Sequence, residues 1–148
     1  MIQRKQTLFL LFSIVSIVVC MSLQVATIFS DSGAMVARMY NLWLSDGQGQ
    51  HAFTSAPLLV VLLLAAVLSL VTIFMYSRRK LQAQMCLLSI LLLVLWYVVL
   101  AVLPQRTGGI MHLEWPAVLP AISIILTFMA RKGILADEKL VRSLDRIR

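Results

Sequence analysis

The chain has 148 residues, of which 61% are hydrophobic and only 13% charged. Soluble domains run at roughly 45–50% apolar, and with about 90 residues taken up by spans no separate soluble domain with its own core is expected. The net charge of +7 and pI near 10.1 would suit a nucleic-acid binder, but no aromatic-basic interleaving accompanies them, and nucleic acid is not an expected partner.

In chain order, Lys5 and Asp31 bracket an uncharged run from Gln6 to Ser30. Crossing a hydrocarbon core of about 30 Å takes roughly 20 apolar residues in a helix, so a first span is expected over about 7–29. Arg4-Lys5 opens it like a signal peptide, but the run is too long and lacks a small-x-small cleavage site. Ile17-Val18-Val19-Cys20 resembles a lipid-attachment box, yet Val19 is β-branched where a small residue belongs. A retained anchor is the better reading. Ser13, Ser16, Cys20, Gln24 and Thr27 recur at spacings of three and four, on one helical face.

The next segment, 30–55, carries Met35, Met39, Tyr40 and Trp43 on one side of a helix. It reads as an amphipathic piece at the outer interface, with the aromatics in the interfacial belt. Gly47-Gln48-Gly49-Gln50 then turns the chain into a second span, about 56–77, striped with Ala65, Ser69, Thr72 and Tyr76. Arg78-Arg79-Lys80 forces a tight hairpin into a third span, about 81–103, with Gln82, Cys86 and Ser89. A short fourth span, 115–130, starts at Trp115 and Pro116 and carries Pro120, Ser123 and Thr127. Arg131 and Lys132 snorkel at its end.

Beyond it, Gly133 reads as a C-cap and hinge. A separate tail helix within 133–148 is expected to start at Asp137 as N-cap, with Leu140, Val141, Leu144 and Ile147 as its apolar stripe. Glu138–Arg142 and Asp145–Arg148 lace its polar face. Such a helix is marginal alone and must rest on anionic lipid headgroups, an inner loop or a protein.

No span contains Asp, Glu, Lys, Arg or His, the usual carriers of transport or intramembrane catalysis. No span contains Gly, which broken-helix pores favour. The small and hydroxylated stripes are therefore expected to pack helix on helix; a hydroxyl-lined lumen is the alternative. No nucleophile–base pairing or phosphate loop is present, so neither an enzyme nor a cofactor is expected. Met35, Met39, His51, Met111, His112 and Glu114 offer copper- or zinc-type donors, but without a recognised metal spacing. Cys20 and Cys86 differ in depth, and no disulfide is expected.

If the N-terminus lies inside, the inner segments hold Arg4, Lys5, Arg78, Arg79, Lys80, Arg131, Lys132, Lys139, Arg142, Arg146 and Arg148 against Asp137, Glu138 and Asp145. The outer ones hold Arg38 and Arg106 against Asp31, Asp46 and Glu114. Excess Lys and Arg stay cytoplasmic, so both termini are expected inside. The resulting fold class is an all-α integral membrane four-helix bundle with an amphipathic C-terminal cytoplasmic helix.

Three segments carry a resemblance: Met1-Ile2-Gln3-Arg4 with Gln6-Thr7-Leu8, then Arg79-Lys80-Leu81-Gln82, then the tail from Asp137 to Arg148. In these the chain resembles the bacterial membrane family filed as domain of unknown function 4293; Lys5 departs from it, standing where an apolar residue is expected. The resemblance implies a four-helix inner-membrane protein with both ends cytoplasmic, and supplies no activity. It directs attention to Arg4, Arg79, Lys80, Asp137, Glu138, Arg142, Asp145 and Arg146 as one ionic cluster for a protein partner or lipid headgroups. The expected function is a non-enzymatic inner-membrane subunit or scaffold with a membrane or cytosolic protein partner; the alternative is an oligomeric carrier or channel.

Overall fold

The computed structural model describes residues 3–30, 33–46, 50–75, 78–103 and 110–145, without the side chains at 3, 4, 46, 142, 144 and 145. Four helices long and apolar enough to cross a membrane dominate it: α1 (Gln3–Ser22), α2 (Ala56–Phe74), α3 (Arg79–Val102) and α4 (Leu119–Asp145). Leucine, isoleucine and valine cover their outward faces, with Leu63, Val67, Leu91, Val98 and Ile125 all exposed. A surface of that kind is stable in hydrocarbon.

The chain is not all-α. Five antiparallel strands form a sheet in the order β4-β3-β2-β1-β5: β1 (Gln24–Phe29), β2 (Met35–Tyr40), β3 (Leu44–Asp46), β4 (His51–Ala52) and β5 (Ile110–Leu113). The expected span over 7–29 therefore stops at Ser22, and Gln24 and Thr27 leave the helical stripe for a strand. The 20 residues of α1 already supply a rise of about 30 Å. Val25, Thr27, Ile28 and Phe29, just beyond it, are β-branched or aromatic and suit a pleated surface. The expected amphipathic helix is likewise β2 and β3, with Ala37 and Met39 buried and Val36 and Arg38 exposed in period two.

The sheet sits on one end of the bundle and shares its core. Val25, Ala26, Ile28 and Met39 pack in one cluster with Ile17, Leu58, Leu62, Leu93, Trp96 and Leu100. Because β1 lies between β2 and β5, the segment after α1 and the segment before α4 are joined into one cap.

The fourth helix also differs from expectation. α4 is continuous from Leu119 to Asp145, so Gly133 is neither cap nor hinge and Asp137 does not begin a second helix. A glycine in a helix interior costs about 1 kcal/mol relative to alanine. Here it makes room: a Cβ at Gly133 would stand 3.0 Å from Gln6 Cγ and 3.2 Å from its Nε2. Near the start of α4, the Tyr97 hydroxyl accepts from the Ala121 N–H at 3.0 Å and donates to the Ala117 carbonyl at 2.6 Å. It bridges the pair that a regular helix would bond directly.

Candidate functional site

At the end of the bundle away from the sheet, all four helices are fastened by polar groups. Gln6 on α1 donates from Nε2 to Asp137 Oδ2 at 2.6 Å, with both side chains buried. Arg79 at the start of α3 donates from Nη1 to the Asp137 carbonyl at 3.2 Å. Gln82 donates from Nε2 to the Thr72 carbonyl at 3.1 Å, adding α2. Residue 133, one turn before Asp137, leaves Gln6 this room by lacking a side chain.

Beside this knot, a groove of about 690 Å³ runs between α3 and α4. Lys80, Arg131, Lys132 and Lys139 line it, with Glu138 the one carboxylate among the lining residues. Ala83, Leu87 and Leu135 supply apolar wall. Arg131 Nε is buried and has no hydrogen-bond partner among the described residues.

Of the ionic cluster expected from sequence, Arg79 and Asp137 meet, although through the aspartate's main chain, while its carboxylate goes to Gln6. Lys80 and Glu138 line the groove. The side chains of Arg4, Arg142, Leu144 and Asp145, and all of Arg146, lie outside the described residues, as do Tyr76, Arg106 and the stripe position Ile147. Gln6, Gly133, Arg131 and Lys132 were not in the expected cluster. A glutamine just inside the first apolar run was the available signal for Gln6, but its partner lies 131 positions away.

The hydroxyl stripes are turned into the bundle. Ser13 and Thr127 share a hydrogen bond at 3.0 Å, and Ser123 donates to the Ser13 carbonyl at 3.2 Å. Ser69 and Ser89 share another at 3.0 Å between α2 and α3. Thr72 bonds the Leu68 carbonyl of its own helix. Ser16 is half-buried, and Cys20 is buried, with its thiol free of any disulfide. Cys86 is likewise buried and free.

At the sheet end, Gln24 donates to Thr27 Oγ1 at 2.7 Å, which donates to Glu114 Oε1 at 2.8 Å. The outer donor set is dispersed. Met39 is in the core, Met35 is exposed, and Met111 packs against the core. His51 meets Trp43 edge to face, and His112 meets Phe29 in the same way. The two histidines occupy β4 and β5, the opposite edges of the sheet. Four strand spacings separate them, roughly 19 Å, too far to share one ion. Among the described residues no group of three His, Cys, Asp or Glu is placed to hold a metal.

The model of the family described as "Domain of unknown function (DUF4293)" matches residues 2–147. No curated protein matches the chain.

Proposed function

The chain belongs to the DUF4293 family, and on that premise we propose that it is a non-enzymatic subunit or scaffold of the bacterial inner membrane, presenting a charged cytoplasmic face to a protein partner. The charge asymmetry supports the orientation, since the end bearing Lys80, Arg131, Lys132 and Lys139 belongs in the cytoplasm. The observation that carries the reading is the course of α4. It runs from Asp137, where α1 and α3 are tied to it, on to Asp145, about 12 Å further. On that stretch Leu140 and Val141 are exposed. An apolar edge on a charged helix that stands clear of the knot is a surface for a partner helix or loop.

The carrier alternative is weighed against by the hydroxyls. Ser13, Ser69, Ser89, Ser123 and Thr127 are buried and spend their bonds within and between the four helices. Packing of that kind leaves no lumen for them to line.

The test is a photoreactive amino acid at Leu140 or Val141, irradiated in intact cells. A discrete protein adduct at both positions supports the reading. Adducts to lipid alone would remove the partner from it. In parallel, Ser69→Cys and Thr127→Cys should resist a membrane-impermeant maleimide; rapid labelling would restore the carrier.

A further inference from the structure

The groove between α3 and α4 is built from two antiparallel helix ends. Arg79 at the start of α3 reaches Asp137 late in α4, and Tyr97 late in α3 reaches Ala117 and Ala121 near the α4 start. Lys80 therefore stands near the level of Lys139, and Leu87 near that of Arg131. Each pair on one helix is two turns apart, about 10–12 Å. The cations accordingly occur at two depths, and Ala83, Leu87 and Leu135 line the groove with them. Four cations face one carboxylate, and the Arg131 Nε–H is left aimed at no protein acceptor among the described residues. The α3 N-terminus adds the positive end of its dipole at the same place.

A cavity that is basic at the mouth, apolar along its wall and sited where spans leave the bilayer matches a molecule with the same division. We propose that this groove holds an anionic phospholipid of the cytoplasmic leaflet. Its phosphate is received by Arg131 and Lys132; Lys80 and Lys139 add positive charge at the level of the helix ends, and an acyl chain lies along Leu87 and Leu135. Phosphate oxygens satisfy guanidinium donors as charge-assisted acceptors, and basic pockets between spans are a recognised form of headgroup site. The inference rests on the helices spanning a membrane with this end inside. It goes beyond the partner reading and holds whether or not a protein docks on the α4 extension.

The experiment is native mass spectrometry of the full-length protein in detergent, titrated with dioleoyl phosphatidylglycerol or dioleoyl phosphatidylcholine. The wild type is expected to take one phosphatidylglycerol at least about tenfold more tightly than phosphatidylcholine. Each groove charge removed should cost about fivefold, so the double variant Lys80→Gln with Arg131→Gln should lose the preference. Ala136→Trp fills the groove while keeping every charge and should also lose it. Arg78→Gln, an exposed cation outside the groove, should not. Circular dichroism melts confirm that each variant is folded. Equal binding of both lipids by the wild type would overturn the proposal, as would survival of the preference in the double variant and Ala136→Trp. Loss in Arg78→Gln equal to that in the double variant would overturn it in favour of diffuse electrostatics. Displacement of the lipid by millimolar inorganic phosphate would overturn it in favour of a soluble phosphate. Failure of the partner reading shows instead in the crosslinking experiment.

Discussion

Asn41 and Trp96 meet at complete burial: the indole Nε1–H donates to Asn41 Oδ1 at 3.1 Å. The same amide donates from Nδ2 to the Cys20 carbonyl at 2.7 Å, and the Asn41 carbonyl accepts from the Leu59 N–H at 3.2 Å. One residue in the turn after β2 thus serves α1, α2 and α3 at once. Asn41→Leu leaves the indole N–H unpaired in the core and removes the shorter of two bonds to the Cys20 carbonyl, which keeps the Leu23 N–H at 3.4 Å. At roughly 1–3 kcal/mol for a buried orphan, the variant should lose at least that much, read from denaturant unfolding in detergent. Asn41→Asp keeps the acceptor for Trp96 but buries a carboxylate against the Cys20 carbonyl, and should lose at least as much.

At the opposite end, Gly133→Ala should destabilise the protein although alanine is the better helix former. The new Cβ would press on Gln6 at 3.0 Å and disturb its bond to Asp137. In a Gln6→Ala background the clash is gone, and the same change should be neutral or stabilising by up to about 1 kcal/mol. A cycle of the four proteins measures the coupling; additive effects would show that Gln6 does not hold the space.

Tyr97→Phe removes the hydroxyl that bridges Ala121 and Ala117. Either the helix start closes to a direct bond or two backbone groups lose their partner. The expected cost is about 1–3 kcal/mol, and hydrogen exchange at the Ala121 amide should accelerate. Unchanged protection there would mean that the regular helical bond forms in its place.

Between α1 and α4, Ser13→Ala and Thr127→Val should couple by about 0.6 kcal/mol in a double-mutant cycle, the average for interhelical bonds within a bilayer. Coupling well above that would indicate that the hydroxyls order more than their own contact.

Much of the helical architecture was legible because its cause is local. Long apolar runs and serines at spacings of three and four are written into each segment by itself. The sheet was not, for a physical reason. Gln24–Phe29 carries no charge, and Cys20, Gln24 and Thr27 keep the helical spacing, so nothing local separates β1 from the end of α1. What makes it a strand is pairing with Met35–Tyr40 and with Ile110–Leu113, partners that spacing within one segment cannot reveal. Gly133 misled similarly. After Arg131-Lys132 it has the composition of a helix end, and only Gln6, from the far end of the chain, gives its missing side chain a use. The basic groove was half visible. Lys80 and Glu138 belonged to an expected charged face, whereas Arg131 and Lys132 read as snorkelling anchors until α3 was set alongside them.

The first and last helices are bound at both extremities. Gln6 meets Asp137 at one, Ser13 meets Thr127 along the middle, and β1 pairs with β5 at the other, where the Glu114 N–H also bonds the Val25 carbonyl. Each of these ties draws on a residue of the 110–137 stretch, so α1 finds only part of its surroundings in α2. The helices furthest apart along the described chain thus complete one another, and α4 supplies the polar partners that α1 lacks elsewhere in the bundle.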